Sequence, residues 1–516
     1  MDSRFKKIIK RQILIPQKFP FLILSAFLLL LGEPYLSKAQ VFSDPCYSAP
    51  QIPKITLRLH REIQSLPTQD DILKIWILFT DKGITSPNHL KRELDKIRKS
   101  LTGRSVWRRT KVRAEENLVD YLDLNILQSY VNQVDQIVKK VRIQSRWLNA
   151  VSAEATSAQI SKVAELPFVQ KIALVNSFKR NELPLSTSFV KREYEIADFS
   201  YGNSWEQLIQ IKVTKLHQLG YSGKGVSVCL LDSGFRKSHP VFQYASVVAE
   251  RDFVNEDSDV QYDPHDPDDY SDSHGTATWS VLGGYAPGKL IGPSYGADFL
   301  LAKTEHADLE EPIEEDYWVG GIEWADSYGV DVVSSSLGYI DWYTFEDMDG
   351  DTAVTTLAAD RAVSLGIVIV TAVGNERNNP WGHIIAPADG HYVIAVGAVN
   401  EQGIIAPFSS PGPTFDGRIK PEVCARGVDN YVAYSDLEGY YGYRFGNGTS
   451  FSTPLVAGVV ALLLEIHPDW TPIQVREALL HTASYKDSPN NDYGWGIVDA
   501  VAASQISVKK KVPRRR

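Results

Sequence analysis

Val226-Ser-Val-Cys-Leu-Leu-Asp232-Ser-Gly234 is the stretch that decides the fold. From Val226 to Leu231 it is almost continuously apolar, the pattern of a strand buried on both faces. Comparable runs recur at Phe299 to Ala302, Val330 to Val333, Ile367 to Thr371 and Val393 to Val396. Helical stretches fall between several of them, near 315–328 and 352–365. Strands alternating with helices predict an α/β domain over 205–508 with a doubly wound parallel sheet. Ligands bind such sheets beyond the carboxyl ends of the strands. Asp232 and Asn375 both stand just past the end of an apolar run, where that rule places a site.

Two further strings carry chemistry. Asn447-Gly-Thr-Ser-Phe-Ser-Thr-Pro454 puts Ser450 at a Gly-rich turn, and a small-residue helix pattern follows at once. Ser273-His-Gly-Thr276 puts His274 before another small-residue helix. Serine is a weak nucleophile that needs an adjacent base, and the base needs an orienting carboxylate. Ser450, His274 and Asp232 are the candidates for these roles. The N–H of Ser450, at a helix N-terminus, and the side-chain N–H of Asn375 are the candidates for an oxyanion hole. Each residue has a plainer use when taken singly. Asp232 could cap its own turn, Ser450 could be an N-cap, and Asn375 after glycine could be a turn residue. His265, in an acidic loop, and His467, before a proline, lack a comparable setting. The coincidence of four parts in the order Asp, His, Asn, Ser favours acyl transfer.

These strings resemble the motifs of the subtilisin-like serine peptidases, the subtilases. Asp232-Ser-Gly, His274-Gly-Thr, Ser336-Leu-Gly338, Gly374-Asn375 and Gly448-Thr-Ser450-Phe-Ser-Thr-Pro454 all look like family motifs. Gly220 to Gly225, Val396 to Val399, Lys420 to Val423 and Gly494 to Ala500 extend the likeness, which covers about residues 200–505. The resemblance implies an endopeptidase whose protein or peptide substrate lies as an added strand against Ser336, Leu337 and Gly338. It also implies that Gly338 and the loop after Asn375 shape the pocket for the residue before the scissile bond. Residues 74–176 look like the family's inhibitory propeptide, so the chain's own propeptide is an expected partner. The chemistry needs no cofactor. Two rival readings are an inactive binding protein on the same scaffold and an esterase.

The acidic runs Asp252 to Asp272 and Asp347 to Asp351 contain Asp263, Asp268, Asp269, Asp349 and Asp351. Either run could hold a structural Ca²⁺, which takes six to eight oxygens, and solvated acidic loops account for them equally well. A net charge of -9 argues against nucleic-acid binding. Three cysteines are too few for a disulfide framework. A monomer is expected.

The first 39 residues read as an export signal. Six basic residues between Arg4 and Lys18 precede an apolar core from Pro20 to Leu31, and Ser37-Lys38-Ala39 offers a cleavage site. The core is too short for a membrane span, so a secreted or periplasmic enzyme is expected. Residues 40–73 read as a linker. Over 74–176, Ile75 to Phe79 reads as a strand, 86–97 as a helix, Leu124 to Val138 as a helix, and Trp147 to Val151 as a strand. Ile160, Val163 and Ala164 mark a further helix, and Ile172 to Val175 a last strand. Two β-α-β-like halves predict a ferredoxin-like α+β domain. Residues 177–204 lose periodicity and read as a processing linker. Residues 509–516 form a basic tail.

Overall fold

The computed structural model describes residues 53–175, 200–262, 272–306, 313–340, 343–435 and 440–507. The expected export signal, most of the expected processing linker and the basic tail lie outside them, as do Asp263, Asp268 and Asp269.

Seven parallel strands form the central sheet. Their spatial order is Val423–Arg426, Ile394–Val399, Val368–Ala372, Val332–Ser335, Ser227–Asp232, Asp298–Lys303, Ser246–Asp252. Every residue of the Ser227–Asp232 strand is buried, as its continuous apolar pattern requires. The chain order reverses between this strand and Val332–Ser335, so the two flank the topological switch point. Asp232 ends one and Ser336 follows the other. Two strands escaped the apolar pattern. Ser246–Asp252 sits at the sheet edge with Ser246, Val247 and Val248 exposed. Val423–Arg426 is only four residues long.

Helices cover both faces. On one, Ser273–Gly283 and Thr449–Ile466 pack into a core with Val228, Leu230 and Val370. Thr449–Ile466 has the length and mean hydropathy, 1.7, of a membrane span, yet it is almost wholly buried in the protein. On the other face lie Ile313–Tyr328 and Val354–Ser364, packed with Cys229, Leu231 and Ile369. Cys229 and Cys424 are free and buried, and burial pushes both thiols up.

The N-terminal sheet is antiparallel, in the order Lys140–Ser145, Ala150–Ala155, Leu73–Phe79, Val169–Val175. That order, with helices following the strands Leu73–Phe79 and Ala150–Ala155 in the chain, is the expected ferredoxin-like arrangement. Alternation along Leu73–Phe79 explains the unbroken apolar run from Ile75 to Phe79. Ile75, Ile77 and Phe79 face the domain's own helices. Trp76 faces the α/β domain, joining Trp147, Trp318 and Ile322 in one cluster. Burying each large apolar side chain there contributes about 1.5–3 kcal/mol.

Local readings change in four places. The expected linker 40–73 contains a helix, Leu57–Ser65, capped by Thr56 and anchored by the fully buried Leu59. The strand Lys140–Ser145 was hidden by its charged, half-exposed residues. Residues 146–149 form a turn, with Asn149 at φ +50°, so the strand expected from Trp147 starts at Ala150. The helix expected over 124–138 is confined to Gln128–Asp135, behind a short 3₁₀ turn at Tyr121–Asp123.

Candidate active site

Asp232 ends its strand with a side chain 2% exposed, and four donors fix it. His274 Nδ1–H donates to Oδ1 at 2.7 Å, and the Ser233 N–H to the same oxygen at 2.9 Å. The Ser233 hydroxyl adds a long contact to it at 3.5 Å. Thr278 donates its hydroxyl to Oδ2 at 2.9 Å. Because a carboxylate only accepts, the neutral imidazole carries its proton on Nδ1 and presents Nε2 as an acceptor. Thr278 was not singled out from the sequence. Its signal was its spacing, four residues after His274, which puts both on one helix face. The Asp232 turn and the His274 helix meet at Gly275. A Cβ there would lie 2.0 Å from the Gly234 carbonyl oxygen, so any side chain would push the carboxylate and imidazole apart.

Ser450 is the second residue of the helix Thr449–Ile466 and is 5% exposed. The first N–H groups of a helix have no intrahelical acceptor, and the helix dipole favours negative charge beside them. Asn375 lies against this terminus. Its Oδ1 accepts from the Thr449 N–H at 2.9 Å and the Thr449 hydroxyl at 3.0 Å, which turns Nδ2 the other way. A Cβ on Gly448 would sit 3.6 Å from the Ser450 nitrogen and 3.9 Å from Asn375 Nδ2. Glycine there keeps open the space between two N–H donors.

Ser336 and Ser450 are linked in both directions. The Ser336 hydroxyl donates to the Ser450 carbonyl at 2.8 Å, and the Ser450 hydroxyl donates to the Ser336 carbonyl at 3.3 Å. The second bond is long and therefore weak. The Ser450 hydroxyl makes it instead of one to His274. The imidazole stands beside the same helix end, its ring centroid 6.3 Å from that of Phe451. Leu337 is 1% exposed, with its side chain in the core, so it can meet a substrate only through its backbone. Beyond Gly338, Tyr339 pairs with Ala386 in an antiparallel bridge.

Other histidines are occupied elsewhere. His467 stacks on Trp470 and donates to the Ser504 carbonyl at 2.7 Å. His217 donates to the Pro293 carbonyl, and burial lowers its pKa to about 4. His265 lies outside the described residues. Asp349 accepts from the Asp351 N–H and the Thr352 hydroxyl, and Asp351 faces His391 at 3.4 Å. Among the described residues no group of three or more His, Cys, Asp or Glu side chains is placed to hold a metal ion.

Comparison with known proteins agrees with this fold. The subtilase family model matches residues 223–496, and a Bacteroidota peptidase S8 propeptide model matches residues 74–188. Subtilisin E of Bacillus subtilis is 32% identical over 370 residues, 71% of this chain and 83% of that protein. Subtilisin of Bacillus pumilus is 36% identical over 302 residues, 57% of this chain and 97% of that one. Fervidolysin from Fervidobacterium pennivorans shares the fold, with a TM-score of 0.58 at 22% identity, covering 85% of this chain and 62% of its own. The chain belongs to the subtilase family, and is a subtilisin-like serine endopeptidase with a propeptide domain ahead of its catalytic domain.

Proposed function

We propose that Ser450 is the nucleophile, His274 the base and Asp232 the group that orients the base. The Ser450 hydroxyl attacks the scissile carbonyl and passes its proton to His274 Nε2. The oxyanion forms between the Ser450 N–H and Asn375 Nδ2. His274 returns the proton to the leaving amine, and water then releases the acyl group by the reverse path. The observation that carries this reading is the 2.7 Å Asp232–His274 pair beside the helix end that bears Ser450. Cleavage of casein compared with a short-chain ester tests it. A peptidase turns over casein, and an esterase cleaves the ester alone.

Substrate choice follows from the space beside this centre. Ser450 and Asn375 fix the scissile carbonyl, and the residue that owns it projects between Ser336–Gly338 and Gly374–Asn375. Ile385 fills that space. A Cβ on Gly338 would lie 2.1 Å from Ile385 Cδ1, and one on Gly374 would lie 2.9 Å from its Cγ2. The preferred residue before the cut is therefore small, such as alanine, glycine or serine. Ile385→Ala is expected to raise kcat/KM for leucine or phenylalanine there by ~10²-fold relative to alanine. An unchanged ratio would place the pocket elsewhere.

The chain is exported by residues 1–39, and the N-terminal domain of residues 74–176 inhibits the enzyme until it is removed. The enzyme cuts itself between residues 177 and 204. N-terminal sequencing of the secreted protein locates both cleavages.

A further inference from the structure

The Asp232–His274 hydrogen bond joins two separate elements, the turn after the strand Ser227–Asp232 and the first turn of the helix Ser273–Gly283. Helix ends fray, because their first N–H groups have no intrahelical acceptor. His274 is only the second residue of its helix. Something outside the pair must hold the base in place.

Arg236 and Asp272 are set to do so. Arg236 stands four residues after Asp232, and Asp272 two residues before His274. The guanidinium meets the carboxylate with both arms of its fork. Arg236 Nε donates to Asp272 Oδ2, and Nη2 donates to Oδ1 at 3.1 Å. The Asp272 side chain is 3% exposed and that of Arg236 15%. Bidentate, charge-assisted bonds shielded from water are strong and directional.

Asp272 gives up another role for this one. It precedes the first helical residue, where an aspartate ordinarily accepts from the N–H groups of the first turn. Its side chain makes no such bond. Its Oδ2 accepts instead from Arg236 and from the Tyr262 N–H at 3.0 Å. The Tyr262 ring lies beside the guanidinium, 5.8 Å from centroid to carbon.

The backbone repeats the link. The Arg236 N–H donates to the Thr276 hydroxyl at 2.7 Å, and that hydroxyl donates to the Asp272 carbonyl. The Phe235 N–H donates to the Val260 carbonyl at 2.6 Å. Between these bonds the two elements touch. A Cβ on Gly234 would lie 3.1 Å from Asp272 Cα and 3.0 Å from the Val260 carbonyl oxygen. Neither Arg236 nor Asp272 bonds to Asp232 or His274, and the proposed reaction uses neither.

We propose that Arg236 and Asp272 are positioning residues, whose ion pair clamps the Asp232 turn to the His274 helix and so sets the separation of orienter and base. The inference rests on the reading of Asp232 and His274 as that pair.

The test compares the mature enzyme with Arg236→Ala, Asp272→Asn, the double variant and Arg236→Lys on a short peptide substrate. Rates are taken per titrated active site on the pH plateau. Each of the first two is expected to lower kcat by ~10-fold or more with KM nearly unchanged, because a misplaced base is felt in the transition state. The double variant is expected to be no slower than the slower single one, since both remove one clamp. Arg236→Lys keeps the charge and loses the fork, so it is expected to recover only part of the rate. The proton resonance of His274 Nδ1–H reads the contact directly. It is expected to move upfield and exchange faster with water in every clamp variant. Should the first two variants fail to mature, Arg236→Lys carries the test, with kcat lowered severalfold. Unaltered kcat and Nδ1–H signal in the variant measured, or losses that multiply in the double variant, overturn the clamp. Asp232→Asn is measured beside them. If it collapses kcat while the clamp variants keep theirs, the clamp alone is refuted. If it leaves kcat unaltered, the catalytic pair is misassigned and the clamp falls with it.

Discussion

Ser450→Ala is expected to abolish turnover, lowering kcat by ~10⁶, the size of the effect measured for the corresponding change in the relative subtilisin itself. In the proposed mechanism the hydroxyl forms the acyl bond, and Asp232 and His274 have nothing to activate without it. The residual rate reflects substrate binding and the two oxyanion donors alone. The variant is also expected to lose its leader, which a separate peptidase removes, and then to accumulate as a precursor beginning near Gln40. Gel mobility and N-terminal sequencing read this directly. Normal maturation in a host lacking other proteases would assign the cut to an external enzyme.

Asn375→Ala is expected to lower kcat by ~10²–10³ with KM nearly unchanged, again a magnitude known from subtilisin. A donor aimed at the oxyanion acts in the transition state, so its loss leaves substrate affinity almost intact. The side chain has a second duty, accepting the Thr449 N–H at 2.9 Å. Losing that bond costs about 1 kcal/mol of stability, so the melting temperature is measured alongside. A rise in KM with kcat preserved would make Asn375 a substrate-binding residue.

The parts of this molecule that could be read from its sequence are those set by local pattern. Val226–Leu231 announced a strand buried on both faces because no polar residue breaks its middle except Ser227. Asp232, His274, Asn375 and Ser450 stood out because each follows or precedes a fixed glycine pattern. Two of the edge strands were illegible for the opposite reason. Lys140–Ser145 and Ser246–Asp252 keep one side open to solvent, so charged and apolar residues mix without a clean period. The ion pair between Arg108 and Asp326 could not be read at all. Arg108 and Asp326 are 218 residues apart, and only the fold brings them together. Ile385 was equally silent, since an isoleucine in a loop announces nothing until Gly338 and Gly374 are seen to close on it.

Specificity and maturation both depend on where acylation occurs. Mass spectrometric mapping of a fluorophosphonate adduct on the mature enzyme locates it most directly. A single adduct on the peptide containing Ser450, lost in Ser450→Ala and strongly slowed in His274→Ala, is the result expected here. An adduct on any other serine, or labelling that survives in Ser450→Ala, would contradict the assignment.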